Sequence, residues 1–460
     1  MKTGKLYFLG VALFGLAARA ETFSDGERVV FYGDSVTHHG YYVTPVQTFY
    51  YTRYPDRDVR IWNCGVGGET AGEAAWRFEL DIAARKPTSA VVLFGMNDVC
   101  VLGYQPNATD AVKRRSREAP AAFEKNMRRL KALFDKDLPG TKLTWCTLVP
   151  WDDELKFRKP RPPITGVTAA EKPLCDFVTR FQKEAGGGYV DYYGPMLAYN
   201  RKLHARDPYM SLSPDTIHTK EPGGLFMAKL FLTAQDADGL VSDVRLDAKS
   251  LRTTKAENAV VSDVVRENGG VAFTVREKAL PFPVDPAARE IADEIGFDAA
   301  FNREMLSVTR LPDGDWTLTI DGSNVLTKSA ADWAKGVNLT SYETPMMAQA
   351  RSVADKVEKR RGKERDVRSM MVGRCVAIRW MFGIPFAEDE KGQDDRFAQV
   401  FAAGYMKACR DKKIESPDRD FASLYENWSK RGKMEAEIEA LHREIRKLNR
   451  PVSHHFRLTR

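Results

Sequence analysis

Ser35 closes the apolar run Val29-Val30-Phe31-Tyr32 through the turn Gly33-Asp34. A hydroxyl so placed stands at the carboxyl edge of a strand, the edge on which open α/β sheets carry their chemistry. Two more polar turns follow apolar runs in the same way, Asn63-Cys64-Gly65-Val66-Gly67-Gly68 and Gly95-Met96-Asn97-Asp98. Far along the chain, Ser213-Pro214-Asp215-Thr216-Ile217-His218 sets a carboxylate three residues before a histidine, one of seven in the sequence. At that spacing on a loop, Asp215 can hold the imidazole of His218 by its Nδ1 proton, and an imidazole held that way can take the proton of a serine hydroxyl. The chemistry this suggests is nucleophilic acyl transfer. Each turn taken singly has an ordinary explanation, in glycine's tolerance of positive φ and in the Asx bonding of Asp and Asn. Their meeting on one rim is what would make a site.

A shared rim requires a parallel sheet. Arg28 to Tyr32, Val59 to Asn63, Ala90 to Phe94 and Lys142 to Val149 read as strands, with Tyr189 to Asp191 a short fifth. Helices are expected over Val43 to Tyr54, Ala71 to Lys86, Ala119 to Asp137, Ala169 to Glu184 and Gly224 to Ala234. Strands alternating with helices of this length imply crossover connections and carboxyl ends that all lie together. A dinucleotide site does not fit, because the first strand is not followed by Gly-x-Gly-x-x-Gly and the second does not end in an acid.

Together the four turns resemble the four sequence blocks of the SGNH hydrolases, also called GDSL esterases and lipases. Gly33-Asp34-Ser35 matches the first block, with Val36 where the name-giving Leu would stand. Asn63, Gly65 and Gly68 match the second, Gly95-Met96-Asn97-Asp98 the third and Asp215-Thr216-Ile217-His218 the last. The resemblance covers residues 28 to 236 and implies an α/β fold, a three-layer, flavodoxin-like domain with a parallel sheet. It further implies Ser35 as nucleophile, His218 as general base and Asp215 as the acid that orients it. The oxyanion hole it implies consists of the backbone N–H groups of Ser35 and Gly68 and the side-chain amide of Asn97. No metal and no organic cofactor enters such a reaction.

Beyond Asp236 the composition changes. Asn258 to Ser262 and Val271 to Val275, split by Asn268-Gly269-Gly270, read as a hairpin, and Leu306 to Arg310 with Trp316 to Ile320 as a second pair. Trp316 could stack on sugar or pack its own small core, and strand aromatics more often face inward. Met346, Ala350, Val353 and Val357 form an apolar stripe that Met434, Ile438, Leu441, Ile445 and Leu448 repeat, which suggests an antiparallel helical hairpin. The expected organisation is a signal peptide over 1–20, a hydrolase domain over 21–237, a small β-rich unit over 238–340 and a helical region over 341–460. This arrangement is similar to a class of exported bacterial SGNH proteins. The absence of a Gly, Ser or Pro-rich tract near Asp236 to Asp243 implies that the later units pack on the first.

Lys2 and Lys5, the apolar run Leu6 to Leu16 and Ala18-Arg19-Ala20 form the signal pattern, with cleavage expected near Ala20 and export to the periplasm or medium. No other stretch is apolar enough to span a membrane. The formal charge of +7 falls once Lys2, Lys5 and Arg19 leave, and the one dense basic run, Lys356 to Arg368, is interleaved with Glu358, Glu364 and Asp366. It reads as a solvated helix face, so a nucleic-acid partner is not expected. The six cysteines show no Cys-x-x-Cys pair and no zinc-spaced histidine, so metal binding is not expected; at most one disulfide is, between Cys375 and Cys409. The segments Val99 to Ala119 and Asp152 to Thr168 leave strand ends on the rim and are polar, basic or Pro-rich, so they suit a hydroxyl-rich or anionic ligand better than a long acyl chain. The function this predicts is an exported serine esterase that removes short acyl groups, acetyl foremost, from carbohydrate or small esters. The alternatives are a lipid- or thioester-directed SGNH lipase, or a carbohydrate-binding or scaffold protein that keeps the fold without catalysis. The oligomeric state is not legible.

Overall fold

The computed structural model describes residues 20–159, 161, 164–382 and 395–460. Apart from Ala20, the expected signal peptide therefore lies outside the described residues. The first half of the chain is organised by strands β1 (Arg28–Gly33), β2 (Arg60–Gly65), β3 (Ser89–Leu93), β4 (Lys142–Cys146) and β5 (Gly188–Val190). All pair in parallel, in the order β2-β1-β3-β4-β5. This is the flavodoxin-like order, and β1 sits between the two strands whose turns carry the second and third motifs.

Alternation along the strands builds the three layers. Val29, Phe31, Ile61, Val91 and Leu93 face helices α2 (Val43–Arg53) and α7 (Glu221–Ala234), whereas Val30, Tyr32, Trp62, Ala90 and Val92 face α4 (Asp110–Asp137) and α5 (Val167–Ala185). The shorter helices are α1 (Ser35–His39), α3 (Ala71–Ala74) and α6 (Tyr193–His204). Strands covered on both faces are apolar throughout, which is why the sequence shows them so clearly.

Several boundaries differ from the sequence reading. The helix expected from Ala119 starts at Asp110, capped by Thr109, and carries Pro120 inside. Its first turns are charged because only Ser116 and Ala119 face inward there, so they read as loop. The helix expected over Ala71 to Lys86 breaks after Ala74 into 3-10 turns around a π turn at Phe78–Ile82. That irregular stretch turns Arg77 and Asp81 inward, where both are fully buried. Helix α6 is not among the expected helices; its Pro195 lies in the first turn, where proline is at home.

The second half adds β6 (Leu240–Asp247), β7 (Arg252–Glu257), β8 (Ala259–Glu267), β9 (Gly270–Glu277), α8 (Arg289–Glu294), α9 (Phe297–Phe301) and β10 (Arg303–Thr309). There follow β11 (Asp315–Ile320), β12 (Ser323–Ser329), α10 (Ala330–Lys335), β13 (Val337–Asn338), α11 (Pro345–Phe382), α12 (Asp395–Asp411), α13 (Arg419–Asn427), α14 (Arg431–Leu448) and β14 (Ser453–Thr459). The hairpin of β8 and β9 forms as expected. The second expected pair does not, because β10 runs parallel to β6 in one sheet while β11 joins β12 and β14 in another. Arg310 at positive φ, bound to Asp247, turns the chain from one sheet to the other. The two sheets share one core around Leu246, Phe273, Leu318 and Phe456, and Trp316 is buried in it with Nε1–H donating to the Pro312 carbonyl. Residues 453–459, expected in the helical region, are a strand between β9 and β11. Two apolar sheet faces need that last strand to close their core, a long-range demand invisible locally.

Helices α11 and α14 form the antiparallel hairpin, with Gln349 reaching the Leu448 carbonyl, Lys356 paired with Glu444 and Lys363 with Glu437. The expected Cys375–Cys409 bridge is absent, and none of the six cysteines is in a disulfide. Cys375 is used as a small hydrophobe, packed with Val66, Met371 and Val372.

The later units pack directly on the first. Phe282, Ile291, Phe297 and Phe301 join the core beside α2, Phe301 edge-on to Phe49 at 5.9 Å between ring centroids. The basic run on α11 is not a solvated face, for Arg360, Glu364 and Arg368 are buried. Arg360 donates to the Ile61 carbonyl (2.6 Å) and the Tyr51 hydroxyl (3.0 Å). Arg368 spans both oxygens of Asp81 at 2.5 and 2.9 Å, and Arg77 and Arg85 close on the same carboxylate at 2.6 and 3.4 Å. Burial alone would push the Asp81 carboxyl up, but Arg368, Arg77 and Arg85 outweigh it and hold the group well below the usual range.

A second buried cluster joins the units at Arg53 on α2, Glu277 on β9 and Glu304 on β10. Ser242 donates to Glu277 at 2.5 Å, while both Glu304 oxygens lack partners. Burial pushes Glu277 up to about 7 and Glu304 upward as well, while the charge of Arg53 works in the opposite direction on both.

Replacing Asp81 by Ala leaves three buried guanidiniums short of a counter-charge, and the expected loss is about 3–5 kcal/mol of unfolding free energy in urea. A loss below about 1 kcal/mol would mean that the cluster does not join the units. Because folding raises the Glu277 carboxyl, the folded protein keeps a proton that the unfolded chain has lost between the ordinary glutamate range and about pH 7, so stability falls as pH rises through that window. Glu277→Gln is accordingly expected to raise Tm at pH 8 and leave it nearly unchanged at pH 4, as thermal scans at the two pH values would show.

Candidate active site

The nucleophile candidate is placed by β1. Gly33 ends the strand, Asp34 caps α1 by accepting the Val36 N–H at 3.0 Å, and Ser35 is the first residue of that helix. The approach is too tight for side chains. A Cβ at Gly33 would lie 2.2 Å from Thr37 Oγ1, and one at Gly65 2.1 Å from the His38 nitrogen. The Asp34 carboxyl is fully buried, and burial pushes it up to about 7.

The distant loop meets this point. Ser35 Oγ lies 2.8 Å from His218 Nε2, and His218 Nδ1 lies 2.8 Å from Asp215 Oδ2. The other carboxylate oxygen, Oδ1, accepts the backbone N–H groups of Ile217 (3.1 Å) and His218 (2.7 Å). Partial burial works against the Asp215 charge, but the bonds from the His218 ring and backbone prevail and hold the carboxyl well below its ordinary range. Thr216, between these residues, has φ of 89°, a left-handed conformation that a β-branched residue resists. Its carbonyl accepts from the Asp152 N–H at 3.1 Å and its N–H donates to the Ser213 carbonyl at 2.9 Å, so neighbours on both sides hold the strained turn. Asp152 in turn accepts from the Ser211 hydroxyl at 2.5 Å.

The second and third turns flank Ser35. Asn97, after β3, donates from Nδ2 to the Glu69 carbonyl at 3.0 Å, which joins its turn to that of Gly68 across the end of β1. One amide hydrogen is thereby used and the other remains to act as a donor. Gly68 has φ of 75° and an open Cβ position, so glycine serves the turn there. Asn63 works elsewhere: its amide donates to the Thr37 carbonyl at 2.6 Å and its oxygen accepts the Gly65 N–H at 2.9 Å, fastening α1 to the second turn. Asp98 accepts the Ala71 N–H and is pushed up to about 8 by burial.

Two groups at the site escaped the sequence reading. His39, one helical turn after Ser35, lies edge-on to His218 with ring centroids 4.6 Å apart. Burial and then the charges of His218 and Lys220 lower it to about 4, so it stays neutral beside the imidazole. The signal was its i+4 spacing from Ser35. The second group comes from α11, where Arg361 and, from the loop after His218, Lys220 lie over the Tyr41 ring at 4.8 and 4.9 Å. Val372 stands beside Gly67. No local signal marks either, because α11 meets the rim only through the packing of the units.

A serine hydroxyl bound to an imidazole that a carboxylate orients is an arrangement able to attack an ester carbonyl. Among the described residues, no group of three or more His, Cys, Asp or Glu side chains could hold a metal ion.

Residues 31–223 match the model of the GDSL-like lipase/acylhydrolase family. A stretch of 89 residues is 32% identical to an acetylxylan esterase of Geobacillus stearothermophilus; it takes in 16% of this chain and spans 41% of that protein's length. Among solved structures, a gut microbial diltiazem-metabolizing enzyme is similar over nearly the full length, with 28% identity, a TM-score of 0.82 and 96% of this chain and 99% of that one covered. An acetylxylan esterase structure from Geobacillus stearothermophilus is 22% identical over 46% of this chain and 95% of its own, with a TM-score of 0.37. With the family match over residues 31–223, the 2-1-3-4-5 sheet and the four motifs in order, that part of the chain is a domain of the SGNH hydrolase superfamily of GDSL-like esterases and lipases.

Proposed function

We propose that the protein is an exported serine esterase that hydrolyses short-chain acyl esters, O-acetyl foremost, on carbohydrate. The observation that carries this reading is the unbroken chain of contacts Ser35 Oγ, His218 and Asp215, with both links at 2.8 Å. Ser35 attacks the ester carbonyl while His218 Nε2 takes its proton, and Asp215 stabilises the imidazolium that results. The tetrahedral oxyanion is met by the N–H groups of Ser35 and Gly68 and the free amide hydrogen of Asn97. Collapse expels the alcohol, protonated by His218. Water, activated by the same imidazole, then releases the acid from Ser35.

The substrate class rests on the rim. The segment Val99 to Ala119 presents Arg114, Arg115 and Arg117 to solvent rather than an apolar lid. A cavity of about 450 Å³ beside Asp215 and Thr216 is lined by Trp151, Lys156, Phe157 and Tyr209, aromatic faces mixed with polar ends. The partial relative named for acetylxylan agrees with an acetylated carbohydrate, and the full-length neighbour named for diltiazem keeps small esters within the class.

Ser35→Ala and His218→Ala are each expected to remove nearly all turnover of p-nitrophenyl acetate, with the double variant no worse, since the two groups act as one unit. Wild-type turnover by Ser35→Ala would end the assignment. Asn97→Ala is expected to lower kcat by roughly 10² to 10³ with KM little changed; a raised KM at constant kcat would make Asn97 a substrate-binding residue instead.

Across acyl length, kcat/KM is expected to fall steeply from acetate to butyrate to octanoate esters, and acetylated polysaccharide to release acetate. Equal or higher kcat/KM on octanoate would replace the carbohydrate reading with a lipid one.

A further inference from the structure

Beside the catalytic rim lies a cleft of about 580 Å³ that neither unit forms alone. Tyr41, Pro45 and Thr48 come from the start of α2 and the turn before it, Glu221 and Leu225 from the first turns of α7, Phe282 to Ala288 from the connection before α8, and Arg351 to Arg361 from α11. Its size falls within the roughly 300–1,000 Å³ of small-molecule sites. Ser35 and His218 do not line the cleft, but it lies close to them. Glu221 follows His218 by three residues, and Tyr41 reaches His218 through a single intervening ring, that of His39. Arg361 lines the cleft and also lies against Gly40, the residue that caps the helix of Ser35.

The chemistry of the lining is one-sided. Leu225, Phe282 and Ala288 make a buried apolar floor, with Pro45, Pro283 and Val284 beside it. Above it stand Glu221, Asp285, Asp355 and Glu358 against Arg351 and Arg361. Both arginines are already committed, Arg351 to Glu343 outside the cleft and Arg361 to Glu358 at 3.0 Å. Asp285 spends one oxygen on the Ala287 N–H. That leaves an apolar base under a rim of hydrogen-bond acceptors with a surplus of negative charge. Such a surface suits a ligand with a C–H face and many O–H donors and disfavours one bearing carboxylates.

We propose that this cleft is the subsite for the sugar portion of the substrate, and that it selects uncharged, hydroxyl-rich glycans over acidic ones. The assignment rests on Ser35 being the esterase nucleophile: an acyl group seated at Ser35 leaves its alcohol side to run past His39 and Tyr41 into the cleft. The later units then act as part of the substrate site, because Ala354, Asp355, Glu358 and Arg361 all come from α11.

The test compares acetylated xylo-oligosaccharide, acetylated oligogalacturonide and p-nitrophenyl acetate on the full-length protein. Ala354→Trp narrows the cleft, and Asp355→Lys reverses one of its charges while keeping an exposed site exposed. Wild-type protein is expected to prefer the xylo-oligosaccharide to the oligogalacturonide. Ala354→Trp should lower the ratio of kcat/KM on xylo-oligosaccharide to that on p-nitrophenyl acetate about tenfold, through KM. Asp355→Lys should raise the relative rate on the oligogalacturonide. If both variants keep the wild-type ratios while p-nitrophenyl acetate is still turned over, the cleft is not the sugar subsite and the esterase reading stands. If wild-type protein hydrolyses none of the three esters, the esterase reading falls and this one with it.

Discussion

The carboxylate of Asp81 is the point on which the rest of the structure leans. It is buried, and three guanidiniums from different parts of the chain converge on it: Arg77, Arg85 and, from α11, Arg368. Arg77 carries the link onward to Glu69, which it meets at 2.6 Å, and its guanidinium lies over the Tyr32 ring at 4.8 Å. Arg85 carries it to Glu435 on α14 at 2.7 Å. A lone buried charge is costly, so each member needs the others in place, and the cluster works as a registration device rather than as a simple source of stability. Glu69 is also the residue whose carbonyl receives the Asn97 amide. The setting of the Gly68 and Asn97 turns and the docking of the C-terminal helices thus share one electrostatic joint.

Around that joint the sheet does what a parallel sheet does best. Its first strand lies between the second and third, so the ends of all three present their turns side by side. Contact at that edge is so close that Gly33 and Gly65 admit no Cβ. The fourth motif arrives from far along the chain on a loop strained at Thr216 and braced by Asp152 and Ser213. Strain there is tolerable because the bonds on both sides over-determine the turn, and it fixes the short span from Asp215 to His218.

The later half of the chain is more than an appendage. Its aromatic residues complete the core beside α2, and its long helix forms one side of the cleft that Tyr41 and Glu221 also line. The β-sandwich is closed by the final strand, so the helices between β13 and β14 are held at both ends by one folded unit. A long helix anchored in this way can present side chains to a neighbouring site without a flexible linker, as Arg361 does at Gly40.

The amino-acid sequence by itself determined the hydrolase domain and the residues of its candidate site. Apolar strand runs, the turn residues that stop them and the Asp215-to-His218 spacing are local signals, and parallel topology then leaves a single rim on which they can meet. Tertiary structure decided everything that depends on a distant partner. Arg368 sits in a charged run that reads as solvated, because its counter-charge Asp81 lies 287 residues away. Cys375 and Cys409 each lie on a helix in a chain read as exported, yet they are not bridged, and Cys375 packs among Val66, Met371 and Val372. The strand at 453–459 and the partner of β10 depended on which sheet faces needed covering. His39 and Arg361 reach the site for the same reason: a helix face has no assigned role until another element packs against it, and that choice is made by burial across the whole chain.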